Sequence, residues 1–162
     1  MNSLGRSFWT GPRGLVGDPA AVLQIGALCL RDGKTGLQVL MVKSSRGRWI
    51  IPKGWPERNQ TDAQTARAEA WEEAGVLKGK VSKAPIGGYL TVKRYDDGRK
   101  KPSHINVFRI DVSKTAPNYP EAGLRKRKWM SLKKAAKKTN DKGLRKLLKA
   151  IRRSEGEFKQ AA

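Results

Sequence analysis

The fold is decided by a loop and helix that begin Gly54-Trp55-Pro56-Glu57-Arg58-Asn59-Gln60-Thr61 and end Glu69-Ala70-Trp71-Glu72-Glu73-Ala74-Gly75-Val76. Thr61 is a good helix N-cap, and Gln64 stands three residues later, which is the pattern of a capping box. Gly75 suits the left-handed position that follows a helix end. Small side chains recur at three- and four-residue steps, at Ala63, Ala66, Ala70 and Ala74. The stretch therefore predicts a helix with a slim face that packs closely against a sheet.

Three acidic residues gather in the last turns of this predicted helix. Glu69, Glu72 and Glu73 are spaced so that their side chains project from one side. They lie near the negative end of the helix dipole, where carboxylates are disfavoured, and they repel each other. A divalent cation that prefers oxygen ligands would supply the missing counter-charge, and Mg²⁺ suits such a site. The spacing alone favours a solvated face paired with Lys or Arg.

The wider context of these acids resembles the Nudix box, G-x5-E-x7-R-E-U-x-E-E-x-G-U, where U is an aliphatic residue. Six residues fall on its register: Gly54, Glu69, Glu72, Glu73, Gly75 and Val76. The first box Glu is Gln60 here and the box Arg is Ala68, with Arg67 one place early. The carboxylate support that this Arg gives must therefore come from another group, such as Arg67 or Arg46, or be absent.

The resemblance covers residues 20–152. The segment 42–54 resembles the approach to the box in the diphosphoinositol polyphosphate phosphohydrolases, and the segment 125–130 resembles their basic segment before the last helices. The resemblance implies the Nudix fold, an α/β architecture in which a mixed β-sheet is sandwiched between α-helices. It also implies a Nudix pyrophosphohydrolase, an enzyme that directs water onto a phosphoanhydride with Mg²⁺, or alternatively Mn²⁺, as cofactor.

The family's roles transfer to matching positions of this chain. The resemblance implies metal binding by Glu69, Glu72, Glu73 and the backbone carbonyl of Gly54, and catalytic roles for Glu69 and Glu72. Glu69 is either the general base or a metal ligand. Glu57, in the loop before the helix, is a reserve ligand or an exposed loop acid.

A strong positive charge accompanies the acidic helix end. The chain has 35 Lys and Arg against 14 Asp and Glu, a formal net charge of +21, which attracts polyanions. We predict four residues near the box and the basic segments as binders of substrate phosphates: Arg46, Lys53, Lys101 and Arg125. From Arg125 to Arg153 fourteen Lys and Arg stand against one acid, Asp141. This region is either a solvated basic face or a docking surface for an anionic ligand, and it leaves nucleic acid open as a partner. His104 is the only histidine, and we expect it to be structural.

Patterns along the rest of the chain predict strands and two further helices. Apolar runs at 21–30 and 37–42 predict a hairpin, and 49–52 a third strand followed by a loop from 53. Further strands are expected around 86–95, 104–112 and 128–130, with a polar connection at 96–102. Ser131 caps a helical segment, and Asn140 or Asp141 caps a final amphipathic helix. We expect a flexible N-terminal arm at 1–20, where Trp9 could dock on the body, a Nudix domain at 21–153 and a C-terminal tail at 154–162.

The composition limits the disulfide content, the location and the membrane association that we expect for the protein. A single cysteine, Cys29, lies in an apolar run, which excludes an intrachain disulfide and favours a buried thiol and a cytoplasmic location. No run approaches the ~18 apolar residues of a membrane span, so we expect no membrane insertion. The sequence carries no signal for an oligomeric state.

These features predict a metal-dependent hydrolase that cleaves a phosphoanhydride bond in a highly phosphorylated small molecule, such as a diphosphoinositol polyphosphate or a dinucleoside polyphosphate. One alternative is an RNA 5′-end pyrophosphohydrolase that uses the basic surface to hold RNA. Another is a non-catalytic polyanion-binding module with a degenerate Nudix box. The three intact glutamates argue against the last alternative.

Overall fold

The computed structural model describes residues 21–161. The arm predicted for residues 1–20, with Trp9, lies outside the described residues. The elements are β1 (Val22–Gly33), β2 (Gly36–Lys43), β3 (Trp49–Ile50), β4 (Lys53–Gly54), α1 (Asp62–Ala74), β5 (Val76–Val81), β6 (Gly87–Arg94), β7 (Lys100–Thr115), β8 (Arg127–Ser131), α2 (Leu132–Lys138) and α3 (Lys142–Ala161).

One mixed sheet of eight strands organises the domain. Its main path is β3-β2-β1-β7-β5, with β4 added to β1, β6 to β7 and β8 to β2. The central strands β1 and β7 are parallel, and β1 with β2 forms the predicted antiparallel hairpin. Because β1 and β7 are flanked by other strands and covered on both faces, they carry nearly continuous apolar runs.

Helices cover both faces of this sheet. Alternate side chains of β1 point to opposite faces, so Leu28 packs in the core under α2 and α3, and Cys29 packs in the core under α1. Burial raises the pKa of the Cys29 thiol to about 12, so the thiol is inert as predicted. The predicted α/β fold, a mixed sheet sandwiched between helices, is confirmed.

Helix α1 begins and ends where the sequence predicts. The Thr61 side chain accepts a hydrogen bond from the Gln64 backbone N–H, and the Gln64 side chain accepts one from the Thr61 N–H. Gly75 has φ 69°, the left-handed conformation that a residue with a Cβ rarely adopts. Ala66, Ala70 and Ala74 are fully buried against the sheet, which brings the acidic turn of the helix next to β4.

The C-terminal helices follow their predicted caps, but the last helix is longer than expected. Ser131 caps α2 by accepting from the Lys134 N–H. Asp141, and not Asn140, caps α3 by accepting from the first N–H groups of that helix. Helix α3 continues to Ala161, so residues 154–161, which we predicted as a C-terminal tail, are helical. Glu155 accepts a hydrogen bond from Arg109 of β7 at 2.7 Å, which ties this last part to the sheet.

Three strand predictions need correction. Lys53-Gly54 is not loop but strand β4, which pairs with Ile25 and Gly26 of β1. The polar connection is shorter than predicted, because residues 100–102 already pair with β6 as part of β7. Strand β5 was not predicted, and it begins directly after the glycine that ends α1. No helix within residues 21–161 has the length and hydropathy needed to cross a bilayer.

Candidate active site

Helix α1 places Glu69 directly against the backbone of β4. The Glu69 carboxylate is so close to Gly54 that a Cβ at that position would overlap it. The glycine is held in place because it pairs with Ile25 of β1. The structure thus brings together two predicted metal-site residues, and a side chain at residue 54 would displace the Glu69 carboxylate.

Glu73 lies one helical turn further along α1 and is 9% exposed. Its Oε2 accepts a hydrogen bond from the backbone N–H of Lys53 at 3.2 Å, which fixes the carboxylate beside β4. An amino group of the Arg125 guanidinium lies 3.9 Å from the same oxygen. Glu69 and Glu73 therefore flank the Lys53-Gly54 segment from the same helix.

Both carboxyl groups are in surroundings that disfavour their ionised forms. Burial raises the pKa of Glu73 to about 7, opposed by Arg125 and reinforced by the charges of Glu69 and Glu121. Burial, followed by the charges of Glu72 and Glu121, raises the pKa of Glu69 to about 7. Arg125 alone does not neutralise the cluster, so a bound cation would stabilise it.

Glu121 belongs to this acidic cluster but was missed in the sequence. Its backbone N–H donates to the Glu72 carbonyl at 3.0 Å, and its carboxylate accepts from Arg125 at 2.9 Å. It lies in the connection between β7 and β8, far along the chain from α1, and no local pattern marks it. Glu72 and Glu57 are both exposed, although the Glu57 charge also contributes to raising the pKa of Glu69.

The donor set fits a divalent cation that prefers oxygen. In the part of the chain that the structure describes, no three Asp, Glu, His or Cys side chains already surround a common point. Two partly buried carboxylates with raised pKa values nevertheless lie beside the Gly54 backbone. Carboxylate and carbonyl oxygens are the ligands of Mg²⁺, and a cation here would relieve the repulsion between Glu69 and Glu73.

A basic cleft of about 210 Å³ opens at Glu73. Its lining contains six cations, Arg46, Arg48, Lys53, Lys93, Arg94 and Arg125, and two acids, Glu73 and Asp141. Three of the four predicted phosphate binders are therefore in the cleft. The fourth, Lys101, is not part of the lining; it lies on β7 opposite Lys93, which is.

Lys53 interacts electrostatically with both acids of the cleft. Burial lowers the pKa of its ammonium group, while the charges of Asp141 and Glu73 act in the opposite direction. Asp141 is itself held by a hydrogen bond from the Thr91 hydroxyl of β6. The α3 cap and the middle of β6 thus both contribute to the wall of the cleft, an arrangement that the sequence did not reveal.

The end of α1 is fixed by an arginine from β8. Arg127 donates to the Ala74 carbonyl at 2.7 Å and stacks over the Tyr119 ring at 4.6 Å. A positive charge is favourable at a helix C-terminus. Arg67 donates instead to the Gly79 carbonyl of β5, so it does not replace the missing box Arg. Arg125 contacts the acidic cluster in its place.

His104 is outside this site. It is half-buried on β7, between Leu23 of β1 and Leu90 of β6 in the sheet register, and it does not line the cleft. This position agrees with the structural role expected from the sequence.

The fold and site define an α/β domain that presents carboxylates at a helix end beside a cation-lined cleft. The sequence model of the NUDIX domain matches residues 22–151. The chain belongs to the Nudix family.

Curated relatives share about a third of the aligned residues. Nudix hydrolase 13, mitochondrial, of Arabidopsis thaliana is 32% identical over 117 residues, covering 64% of this chain and 54% of that protein. Diphosphoinositol polyphosphate phosphohydrolase 3-alpha of Mus musculus is 34% identical over 114 residues, covering 68% of this chain and 64% of that protein. The chain thus spans about half to two thirds of the length of these relatives. Because the plant relative is named mitochondrial, the cytoplasmic location stays a prediction.

Solved structures share the fold at low sequence identity. The Ap4A hydrolase binary complex of C. elegans has a TM-score of 0.61 and 19% identity, covering 85% of this chain and 100% of that chain. The NUDIX domain of Shewanella oneidensis NrtR, complexed with ADP ribose, has a TM-score of 0.63 and 20% identity, covering 85% and 93%.

Proposed function

We propose that the protein is a Nudix pyrophosphohydrolase that cleaves a phosphoanhydride bond in a highly phosphorylated small molecule, using Mg²⁺ or Mn²⁺. One observation carries the proposal: Glu73 belongs both to the acidic cluster of α1 and to the lining of the cation-lined cleft. A site for a metal ion is thereby joined to a site for phosphate groups, which is what the hydrolysis of a phosphoanhydride requires.

We assign a separate role to each group of residues in the site. Glu73, the Gly54 carbonyl and Glu69 would hold the metal, with Glu72 on the exposed side of the same turn. A divalent ion there would neutralise charge and lower the pKa of bound water. Glu72, or Glu69 if it is not a ligand, would accept the proton of the attacking water. Arg125 balances the charge of Glu73 and Glu121 and, from the cleft lining, contacts substrate phosphate.

The composition of the cleft favours a compact polyphosphate as substrate. Six cations against two acids leave a surplus of positive charge around about 210 Å³. The names of the relatives mention diphosphoinositol polyphosphate and Ap4A, which are both rich in phosphate. We propose substrates of this kind, a diphosphoinositol polyphosphate or a dinucleoside polyphosphate, with Arg46, Lys53 and Arg125 holding the phosphates.

The acidic cluster is present although two positions differ from the Nudix box. Gln60, in place of the first box Glu, is exposed and donates its backbone N–H to the Glu57 carbonyl at 3.2 Å. Ala68 is half-buried and lies beside Trp71, on a shallow surface away from the cleft. Neither side chain lines the cleft, and Glu69 and Glu73 keep their positions beside β4, which favours an enzyme over a non-catalytic module.

The test is a screen of Mg²⁺-dependent phosphate release from diphosphoinositol polyphosphate, dinucleoside polyphosphates and 5′-triphosphate RNA. Wild-type protein is compared with Glu69→Gln and with Asp96→Asn, which removes one negative charge from an exposed turn. We expect turnover of a compact substrate that Glu69→Gln lowers by about 10²-fold or more, because the metal contributes several kcal/mol to the transition state. Turnover of RNA alone would support the 5′-end alternative. No turnover, or equal turnover in Glu69→Gln, would contradict the proposal.

A further inference from the structure

A second basic concavity lies between α2 and α3. Its volume is about 440 Å³. Leu132 and Ala136 form an apolar floor, and the rest of the lining is cationic: Lys133, Lys137, Arg145, Lys149 and Arg152. We call this concavity the α2–α3 groove. It contains no acidic residue, whereas the catalytic cleft contains two.

The cations of the groove form two rows. Lys133 and Lys137 are four residues apart on α2, and Arg145, Lys149 and Arg152 follow at steps of four and three residues on α3. Steps of three or four residues advance a helix by ~5–6 Å, so each wall presents a charge about once per turn. A regular series of charges fits a polymer of phosphates better than a single compact anion.

The charges of the groove are not neutralised within the protein. Arg145 is fixed by hydrogen bonds to the Ala136 carbonyl at 3.0 Å and the Thr139 carbonyl at 2.7 Å, which are neutral acceptors. None of the five cations takes part in an ion pair with another residue in the range 21–156. The groove thus keeps its full charge for a ligand.

The groove and the catalytic cleft meet at the connection between α2 and α3. Thr139 and Asp141 line the cleft, and Arg145 of the groove is bonded to Thr139. The Asp141 carboxylate accepts from the Thr91 hydroxyl and from N–H groups of α3, so its oxygens are already engaged. Arg145 and Thr139 therefore place one end of the groove next to the cleft.

We propose that the α2–α3 groove binds the phosphodiester backbone of single-stranded nucleic acid. A strand carries one negative charge per nucleotide along its length, which matches the two rows of cations. The lining contains no aromatic residue, so binding relies on phosphates and is insensitive to base sequence. The groove is concave and suits one strand better than a duplex.

The surface argues against a membrane as the occupant. The large hydrophobic side chains exposed within residues 21–156 are Leu23, Trp55, Leu77, Val92 and Leu124, and none of these lies on α2 or on α3 as far as residue 156. Binding at an anionic bilayer uses inserted apolar side chains as well as cations. The groove offers cations around a floor whose Leu132 and Ala136 are each only 5% exposed.

The test measures the binding of a fluorescent single-stranded RNA of uniform sequence by anisotropy over a range of salt concentrations. The groove variant is Lys137→Ala/Lys149→Ala. The matched control is Lys78→Ala/Lys80→Ala, which removes the same charge from exposed positions of β5. We expect the groove variant to bind at least tenfold more weakly and to lower the salt slope by about two, one for each lysine. The control should change much less.

Two results would overturn the proposal. Equal losses in the two variants would show that only the overall charge of the protein attracts RNA. Stronger competition by duplex of the same length, by polyglutamate or by phosphatidylserine vesicles than by unlabelled single strand would assign the groove to a different partner. Phosphate release from a compact substrate should be the same in groove variant and wild type. A wild type that binds RNA but hydrolyses nothing would contradict the proposed enzyme function and leave the groove proposal intact.

Discussion

Replacing Glu73 by Gln should stabilise the metal-free protein at alkaline pH. The substitution removes a negative charge from the acidic cluster and keeps the shape of the side chain. The Gln Oε1 can still accept the hydrogen bond from the Lys53 backbone, which measures 3.2 Å in the structure. The change in stability therefore reports on the charge of residue 73 and not on its packing.

The magnitude follows from the raised pKa. Raising the Glu73 pKa from 4.5 to about 7 costs the folded state about 3 kcal/mol when the group is ionised, at about 1.4 kcal/mol for each tenfold change in acidity. The attraction of Arg125 is already contained in that pKa, so we expect the variant to gain about 3 kcal/mol when Glu73 would be ionised. That gain corresponds to a melting temperature about 6–12 °C higher for a domain of this size.

The pH dependence has a definite sign. Since the folded pKa lies above the unfolded one, the folded state binds more protons between pH 4.5 and about 7. Stability therefore falls as the pH rises through this window. Glu73→Gln should flatten that fall, so its advantage is large at pH 8 and small at pH 4.5. The assay is thermal unfolding in EDTA at a series of pH values, with Asp96→Asn as the charge-matched control.

Magnesium should reverse the ranking. A ligand that binds only the folded state stabilises it in proportion to its affinity, and the wild type binds the cation with one more carboxylate. Mg²⁺ should thus raise the melting temperature of wild type more than that of Glu73→Gln, and the variant should lose about 10²-fold or more in turnover. A destabilised variant at pH 8, or a gain that does not depend on pH, would refute the view that Glu73 is an uncompensated carboxylate.

Three further substitutions test the surroundings of the site. Ala68→Arg should be tolerated and could raise turnover, because Ala68 is half-buried beside a shallow surface and Arg is nearly as good a helix former as Ala; unfolding of this variant in a thermal melt would show that the position is packed. Arg127→Ala should cost about 1–3 kcal/mol in urea unfolding, since it leaves the Ala74 carbonyl without its charged donor; an unchanged midpoint would mean that the contact is unimportant. Because only Lys93 lines the cleft, Lys93→Ala should raise KM more than Lys101→Ala. The difference should become smaller at high salt. The opposite order in steady-state kinetics would favour Lys101 as the phosphate binder.

The parts of the fold that the sequence predicts are those with local signals. The capping box of Thr61 and Gln64 and the left-handed Gly75 mark both ends of α1 within a few residues, and the structure has both. The alanines that recur at three- and four-residue steps along the same helix predict its buried face, because they also form a local pattern. The positions of Glu69 and Glu73 can be predicted as well, because the direction of their side chains is fixed once the buried face of the helix is known.

The residues that the sequence could not predict depend on contacts distant in the chain. Glu121 reaches the acidic cluster only because the connection after β7 folds back onto α1. Lys93 enters the cleft, and Lys101 does not, because of the register between β6 and β7. Asp141 was predicted as a helix cap, but its place in the cleft wall requires α3 to pack against β6. None of these relations leaves a pattern in neighbouring residues.

Substitutions at Gly54, before α1, and at Gly75, directly after it, should both lower activity. Only the substitutions at Gly75 should also lower the amount of folded protein. A side chain at Gly75 would meet Arg127 and Tyr119 atoms at 2.5 Å in a backbone conformation that it rarely adopts, so cells would contain less of the protein. A side chain at Gly54 would displace the Glu69 carboxylate from a half-buried strand end, so abundance would persist while function disappeared. Comparing abundance with function across these two positions would separate the residue that shapes the domain from the residue that leaves space for its chemistry.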